Sequence, residues 1–196
     1  MSTNEQTQKI NGVEVDRLTE IKSAVINEPQ LAAFTYIARN NWVDGAHNRS
    51  VIKDFYAAGE LDSTRQHSFV INNDAARAVL GTDAGANPLE YVIHALAGCL
   101  TTTLVYHAAL RGIRIDSIES TIEADQDARG FLGTSNSVRN GFGNVRVHFK
   151  IVGDAPEAKL RELVLLAQKR SPVFDILSNP TNIAVTGDVK QSKQAA

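Results

Sequence analysis

The sequence predicts an α+β protein in which antiparallel strands surround one long apolar helix. Two patterns support this fold class. Segments before residue 72 and after residue 114 alternate apolar and polar side chains, as strands with one buried face do. Between them, residues 91–110 are almost free of charge and long enough for a helix of roughly five turns.

The composition is that of a soluble globular protein. The chain has 196 residues, enough for one core, with 43% hydrophobic and 21% charged residues and a net charge of -2. No run of like charges appears, so we expect neither nucleic acid nor a membrane as partner. One cysteine cannot form an intrachain disulfide, and the N-terminus does not resemble a signal peptide. These features predict a cytoplasmic protein.

The chain divides into an extension, a main domain and a tail. Residues 1–33 form an N-terminal extension, whose first twelve residues are polar and expected to be loose. Val15, Leu18, Ile21 and Val25 recur at helical spacing, which predicts a short amphipathic helix between Gly12 and Pro29. Residues 34–189 form the main domain, and residues 190–196 are expected to be a disordered tail.

Strands open the main domain. Phe34, Tyr36, Ala38 and Trp42 fall on one parity, which predicts a strand with one buried face. Further extended segments are predicted over residues 49–56 and 67–71.

The long helix has clear end signals. Asn87 is a suitable N-cap, Pro88 suits the first helical position, and Glu90 can complete a capping box. Gly112 suits the C-terminal left-handed position. The helix could be mistaken for a membrane span, but two histidines and three threonines lie within it, which favours a buried soluble helix.

Two strands and two helices follow the long helix. The first strand directs Glu119, Thr121 and Glu123 outward, and the second directs Arg146, His148 and Lys150 outward, so we expect these strands to pair antiparallel. Their inward residues are predicted to be Ile118, Ile122 and Ala124 in one strand and Val145, Val147, Phe149 and Ile151 in the other. Residues 154–157 predict a second capping box, Ser171 should cap a short helix, and residues 181–186 predict a closing strand.

Two segments resemble the OsmC family, whose members include the osmotically inducible and organic hydroperoxide resistance proteins. Residues 87–101, NPLEYVIHALAGCLT, resemble the family segment N-P-x-E-x-x-x-x-A-x-x-x-C, and residues 168–173, QKRSPV, resemble its C-P-V segment with serine in place of cysteine. The resemblance spans about residues 34–189. It implies an intertwined homodimer, in which two sheets enclose two central helices. It also implies reduction of organic hydroperoxides by a cysteine pair assisted by an arginine and a glutamate.

The resemblance indicates Cys99 as the peroxidatic thiol, although a cysteine in an apolar helix can also be a core residue. A cation must stabilise its thiolate, because the helix dipole does not reach three turns into a helix. Arg49 occupies roughly the place of the family's catalytic arginine, with Arg39 as a rival. Glu90 is the candidate glutamate, but the better-studied peroxidases have theirs where Leu89 stands here, which favours capping.

Ser171 leaves two functions open. A serine cannot resolve an oxidised cysteine, so a peroxidase of this kind would need an external thiol. The first hypothesis is a one-cysteine reductase of small organic hydroperoxides acting in oxidative stress. The second is a non-catalytic homodimer that binds a hydrophobic ligand, with Cys99 as a structural residue. No cofactor or metal site is predicted, because the histidines lack ligand spacing.

Overall fold

The structure, a computed structural model, describes residues 9–191. This part of the chain contains eight strands, five α-helices and two single turns of 3₁₀ helix at Pro29–Ala32 and Arg77–Val79. The strands are β1 (Lys9–Ile10), β2 (Val13–Glu14), β3 (Phe34–Asp44), β4 (His47–Ala57), β5 (Glu60–Asp62), β6 (Phe69–Asn73), β7 (Ile115–Gln126) and β8 (Phe142–Gly153). The helices are α1 (Val15–Asn27), α2 (Pro88–Ala109), α3 (Ala128–Phe131), α4 (Glu157–Arg170) and α5 (Pro172–Ser178).

The N-terminal extension begins with a hairpin that the sequence analysis missed. Asn11 and Gly12 form its turn with φ values of 54° and 79°, and an Asn-Gly pair is a strong signal for such a turn. The Asn11 side chain donates to the carbonyl oxygen of Ile113 and accepts from the backbone N–H of Ile115, both at 2.9 Å. The prediction of a loose start is therefore wrong for residues 9–12; residues 1–8 and the end of the predicted tail, 192–196, lie outside the described residues.

Helix α1 forms where the helical spacing predicted it, between Gly12 and Pro29. None of its side chains is buried, and Ile21 is 53% exposed. Within one chain its apolar stripe is therefore only partly covered.

The strands β3, β4, β5 and β6 form a four-stranded antiparallel sheet, called the first sheet below. Of these, β3, β4 and β6 confirm the three predicted strands. The predicted buried face of β3 is not buried within the chain: Phe34, Tyr36 and Trp42 are 52%, 74% and 73% exposed. The physical reason is that this sheet packs mainly on itself and barely contacts the helices.

Helix α2 begins with the predicted capping box. Asn87 Oδ1 accepts from the N–H of Leu89 at 2.9 Å, and Glu90 Oε2 accepts from the N–H of Asn87 at 2.7 Å. Gly112 follows the helix with φ of 71°, as predicted.

One face of α2 forms the core of the chain. Leu96, Leu100, Leu104 and Ala108 are buried against β7, α4 and α5. The opposite face carries exposed residues: His94, Ala95, Gly98, Thr102 and Tyr106. Among the described helices, α2 alone is long and apolar enough to cross a membrane, a property that core helices of soluble proteins share.

Strands β7 and β8 pair antiparallel, as predicted. Glu119 lies opposite Lys150, Thr121 opposite His148 and Glu123 opposite Arg146. The inward prediction holds fully for β7 and for Phe149 and Ile151 of β8, which pack on the core. Val145 and Val147 lie opposite Ala124 and Ile122 and so share their face, as predicted, but they remain 38% and 36% exposed within the chain.

The C-terminal segment gives one confirmation and two corrections. Ser171 Oγ accepts from the N–H of Phe174 at 3.2 Å and caps α5 as predicted. The second capping box does not form, because Asp154 Oδ1 accepts from the N–H of Arg114 instead, at 2.8 Å. Residues 181–186 form no strand within the chain, and Ile183 and Val185 remain 81% and 89% exposed.

Asp74 organises the loop between β6 and α2. Its carboxylate is 1% exposed and accepts from the hydroxyl of Thr82 at 2.5 Å and from the N–H groups of Ala75, Thr82 and Ala84. A Cβ at Gly81 would lie 1.7 Å from the carbonyl oxygen of Ala75, so this close approach requires glycine. The loop fixes the position at which α2 begins.

We expect Asp74→Asn to lower the melting temperature at neutral pH, because an amide cannot accept all four hydrogen bonds. The hydroxyl of Thr82, and then the backbone N–H groups, lower the pKa of Asp74 from 3.8 to about 2. Because this pKa is depressed by folding, its stabilisation is present above pH 3.8 and is lost as the pH falls through about 2. Thermal melts from pH 7 to 2 should show a weaker acid dependence in the variant; identical curves would contradict this role.

Candidate functional site

Cys99 lies at the edge of the covered face of α2 and is half-buried. Its neighbours Gly98 and Thr102 belong to the open face. Together they border an open cavity of about 610 Å³. The residues that line this cavity are Tyr36, Gly98, Cys99, Thr102, Thr103, Tyr106, His107, Arg170 and Pro172.

The cavity combines aromatic walls with a cation. Tyr36 and Tyr106 contribute rings, and Arg170 contributes a guanidinium, whereas no described residue that lines the cavity carries a carboxylate. The hydroxyl of Thr103 donates to the carbonyl oxygen of Cys99 at 2.8 Å, so this hydroxyl is directed at the helix backbone. Such a cavity can hold a small organic molecule beside a thiol and an arginine.

The packing of α4 and α5 on α2 brings Arg170 to this cavity. Leu163 and Ala167 of α4 are buried in the same core cluster as Leu100 and Leu104. Arg170 is the last residue of α4, and Pro172 is the first of α5, so the junction between the two helices borders Cys99. The sequence analysis missed Arg170, although it stands directly before the Ser-Pro pair that carried the second family segment.

Arg49 lies elsewhere in the chain. Its Nε donates to Asn72 Oδ1 at 2.9 Å, and the carbonyl oxygen of Asn72 accepts from the hydroxyl of Tyr91 at 2.8 Å. Tyr91 precedes Cys99 by eight residues, which is about 12 Å along the helix axis. The structure therefore does not bring Arg49 and Cys99 together within one chain.

The rival arginine, Arg39, is exposed on β3 and also does not line the cavity.

Glu90 is committed to the helix cap. Its carboxylate accepts from the N–H of Asn87, about 13 Å before Cys99 along the axis. The capping interpretation is confirmed, and Glu90 does not contact the Cys99 cavity within the chain.

Ser171 stands beside the cavity without lining it. It is 2% exposed, and its hydroxyl is occupied as the cap of α5. The residue that replaces the family's second cysteine is thus a structural cap, flanked by two residues that border Cys99.

His107 titrates in a positively charged environment. Burial, followed by the charges of Arg111, Arg170 and Lys22, lowers the pKa of His107 below 6.5. Within residues 9–191, no cluster of three histidine, cysteine or acidic side chains could hold a metal ion.

A larger cavity of about 760 Å³ lies between the end of α2 and the start of α4, where Arg111, Asp154, Lys159 and Glu162 line it together with apolar residues. Among its described lining residues there is neither a thiol nor a hydroxyl group, so we regard the smaller Cys99 cavity as the candidate site.

Comparisons with known proteins identify the fold and the family. A family model described as OsmC-like protein matches residues 81–186. A structure of an OsmC-like protein from Mycoplasma pneumoniae superposes with a TM-score of 0.57 at 18% identity, covering 74% of this chain and 87% of that one. An organic hydroperoxide resistance protein OsmC from Legionella pneumophila gives 0.53 at 19% identity, with 74% and 90% covered. A Vibrio cholerae OsmC-like protein of unknown function gives 0.55 at 12% identity, with 71% and 91% covered.

No curated protein matches the sequence. At these identities the structural likeness establishes the fold, α+β with antiparallel sheets, and the matched segment includes both Cys99 and Ser171. Because the family model spans more than half of the sequence, this chain belongs to the OsmC-like protein family.

Proposed function

We propose that this protein reduces organic hydroperoxides with Cys99 as its only peroxidatic thiol, in the cytoplasmic response to oxidative stress. The observation that carries the proposal is the cavity in which a half-buried cysteine lies beside an arginine and two tyrosines. An arginine near a thiol favours the thiolate, which is the nucleophile, and the aromatic walls suit an organic substituent. The Legionella relative named for hydroperoxide resistance supports the same chemistry.

The oxidation step needs only Cys99 and the hydroperoxide. The thiolate attacks the terminal oxygen of ROOH, an S–O bond forms, and the O–O bond breaks. The sulfur is oxidised to a sulfenic acid, and the alkoxide leaves and takes a proton to become the alcohol. We assign to Arg170, the described arginine that lines the cavity, the stabilisation of the charge that develops on the leaving oxygen, with Arg49 of a partner chain as the alternative.

The reduction step requires a thiol from outside the chain. Ser171 has no sulfur, so no internal disulfide can form. An external thiolate displaces water from the sulfenic acid to give a mixed disulfide, and a second thiolate releases Cys99 as its own disulfide forms. Low-molecular-weight thiols maintain such conditions in the cytoplasm, which agrees with the proposed location.

We propose further that the protein acts as a homodimer. A single chain exposes 15177 Å², whereas a compact protein of 21.3 kDa exposes about 9000 Å². The excess includes the aromatic face of β3, the open face of α2 and the unpaired C-terminal segment. A second chain that covers these surfaces would bury the area typical of permanent dimers.

In such a dimer Arg49 could approach the partner's Cys99. Arg49 is hydrogen-bonded to Asn72 in a sheet that scarcely contacts the helices of its own chain. The catalytic arginine is therefore Arg170 in the same chain or Arg49 across the interface.

A second function is a homodimer that binds a hydrophobic ligand without chemistry. Two observations favour it: Ser171 is a buried helix cap, and the carboxylate of Glu90 is occupied by the cap of α2. In that case Cys99 would line the cavity only as a small apolar side chain.

The first prediction for this function concerns sulfenic acid. Reduced protein treated with one equivalent of cumene hydroperoxide should form a sulfenic acid at Cys99, which a dimedone adduct in the mass spectrum would reveal. Cys99→Ser should give no adduct and no peroxide consumption while it remains folded, because serine is nearly isosteric. A wild-type thiol that stays free after many minutes in excess hydroperoxide would exclude the enzyme and leave the binding function.

Two arginine variants locate the catalytic cation in the same assay. Arg170→Ala should slow oxidation on the order of tenfold if Arg170 stabilises the charge that develops on the leaving oxygen. Arg49→Ala tests the partner arginine. In a mixed dimer of one Arg49→Ala chain and one Cys99→Ser chain, the intact Cys99 and the intact Arg49 belong to different chains. Such dimers should therefore regain the wild-type rate per intact thiol only if Arg49 acts across the interface.

The next prediction is that Ser171→Cys forms a disulfide with Cys99 after peroxide treatment. The sulfenic acid would react with the new thiol and release water, provided that the two Cα atoms lie within about 7 Å. The variant should lose about 1 kcal/mol from the weakened cap of α5. Non-reducing mass spectrometry measures the loss of two hydrogens; a variant that forms sulfenic acid but never this disulfide would contradict the expected proximity.

The homodimer is expected to persist at micromolar concentration. Multi-angle light scattering should give about twice the mass of 21.3 kDa. Trp42→Glu, which places a charge on an aromatic surface that is 73% exposed, should weaken the dimer, whereas Lys150→Glu on the outer face of β8 should not. A folded wild-type monomer would show that the exposed apolar faces have another partner.

A further inference from the structure

Cations lie in and next to the lining of the Cys99 cavity. Arg170 lines it, and the Arg111 guanidinium donates at 3.0 Å to the carbonyl oxygen of His107, which lines it as well. A neighbouring cavity of about 510 Å³ shares Tyr106 with it and is lined by Gly12, Val13, Glu14, Arg17, Leu18 and Ile21. The N-terminal hairpin and α1 therefore form the side of the site beyond Tyr106.

Helix α1 directs its cations toward this side. Arg17 is four residues from Ile21, and Lys22 is four residues from Leu18, so each lies about 40° from a residue of the apolar stripe. Because an α-helix turns by about 100° per residue, Asp16 and Glu20 lie on the side of the helix opposite the apolar stripe. Lys22 is close enough for its charge to act on His107 together with those of Arg111 and Arg170.

Few negative charges oppose these cations. Among residues 9–191, no carboxylate lines the Cys99 cavity. Glu14, which lines the neighbouring cavity, is paired with Lys9 at 3.1 Å. Asp154 and Glu162 line the larger cavity together with Arg111, and Glu162 is paired with Lys159 at 2.9 Å. Within one chain the entrance to the Cys99 cavity is therefore positive, although the chain as a whole carries a net charge of -2.

We propose that this positive entrance selects the reductant: the thiol that reduces oxidised Cys99 is a small thiol that carries a carboxylate. This inference rests on the proposed function. The anionic thiolate attacks the sulfenic sulfur, an S–S bond forms, the S–O bond breaks, and hydroxide leaves with a proton as water. A second molecule of the thiol attacks the mixed disulfide and is oxidised, which returns Cys99 to its thiolate.

The position of the cations favours the reductant over the hydroperoxide as their target. The interior of the cavity carries the two tyrosines, which suit the organic part of a hydroperoxide. Lys22 and Arg111 do not line it, so they attract an approaching ion through their field and not through contact. Because Ser171 cannot resolve the oxidised cysteine, every turnover depends on the arrival of an external thiol. The rate of this encounter therefore gains most from electrostatic attraction. Lys22 lies outside the segment matched by the family model, which makes the preference a property of this chain's own extension.

The single cysteine allows a direct test of charge selectivity. Methanethiosulfonate reagents with a 2-sulfonatoethyl or a 2-(trimethylammonium)ethyl group differ in charge but share one reacting centre. The rate of the anionic reagent at Cys99 is divided by the rate of the cationic one, and this ratio is divided by the same ratio for a free thiol in solution. The resulting corrected ratio does not depend on the pKa of Cys99, because both reagents react with the same thiolate. We expect a corrected ratio on the order of tenfold in favour of the anion at low salt, decreasing as salt is added.

Neutralising variants assign the effect to the proposed cations. Lys22→Gln and Arg111→Gln should each reduce the corrected ratio several-fold and leave the rate of the neutral methyl reagent unchanged. Lys150→Gln, on the outer face of β8, removes the same charge and should leave the ratio unchanged. A corrected ratio near one, or a ratio that falls equally in all three variants, would overturn the inference.

The second part of the test uses thiols. Cys99 sulfenic acid should be reduced fastest by 3-mercaptopropionate, more slowly by 2-mercaptoethanol and slowest by cysteamine, when rates are compared per thiolate. An equal rate for all three would refute the choice of reductant even if the reagents discriminate. If no sulfenic acid forms while the reagents still prefer the anion, the proposed peroxidase function fails and the positive entrance stands by itself.

Discussion

The structure depends on how helix α2 is covered. Leu96, Leu100, Leu104 and Ala108 bury one face against β7, α4 and α5, and this contact joins the second half of the chain into one core. The other face carries small or aromatic residues and remains open within the chain. A helix with so few charges cannot leave that face in water at low cost, because each buried apolar side chain contributes about 1.5–3 kcal/mol. The open face of α2 and the exposed aromatic face of the first sheet are therefore two apolar surfaces that the described part of the chain leaves uncovered.

The position of Cys99 follows from this division. It lies where the covered face meets the open one, and it is accordingly half-buried and lines the cavity. The same packing determines which groups surround it. Because Leu163 and Ala167 anchor α4 on α2, the end of α4 brings Arg170 to the cavity and sets Ser171 just behind it. One helix contact thus determines both the arginine beside the thiol and the residue that stands where the family has its second cysteine.

The N-terminal extension changes the surroundings of the cavity without belonging to its interior. The side chain of Asn11 binds the backbone on both sides of Arg114, which ties the hairpin to the segment between α2 and β7. From this attachment α1 extends past Tyr106 and contributes two cations. The hydrogen bonds of the Asn11 side chain therefore connect a segment outside the family match with the charges around Cys99.

The sequence by itself determined the elements whose signals are local. The caps at Asn87 and Ser171, the left-handed Gly112, the bounds of α1 and the two faces of β7 and β8 all depend on residues a few positions apart or on period-2 alternation. The family motif also identified Cys99 and the loss of its partner cysteine. Only the tertiary structure decided that Arg170 and not Arg49 lines the cavity within the chain, that the aromatic face of β3 lacks a cover, and that residues 181–186 form no strand there. The physical reason is that these features depend on contacts between segments far apart in the chain, or on surfaces completed from outside it, and neither is encoded in local periodicity.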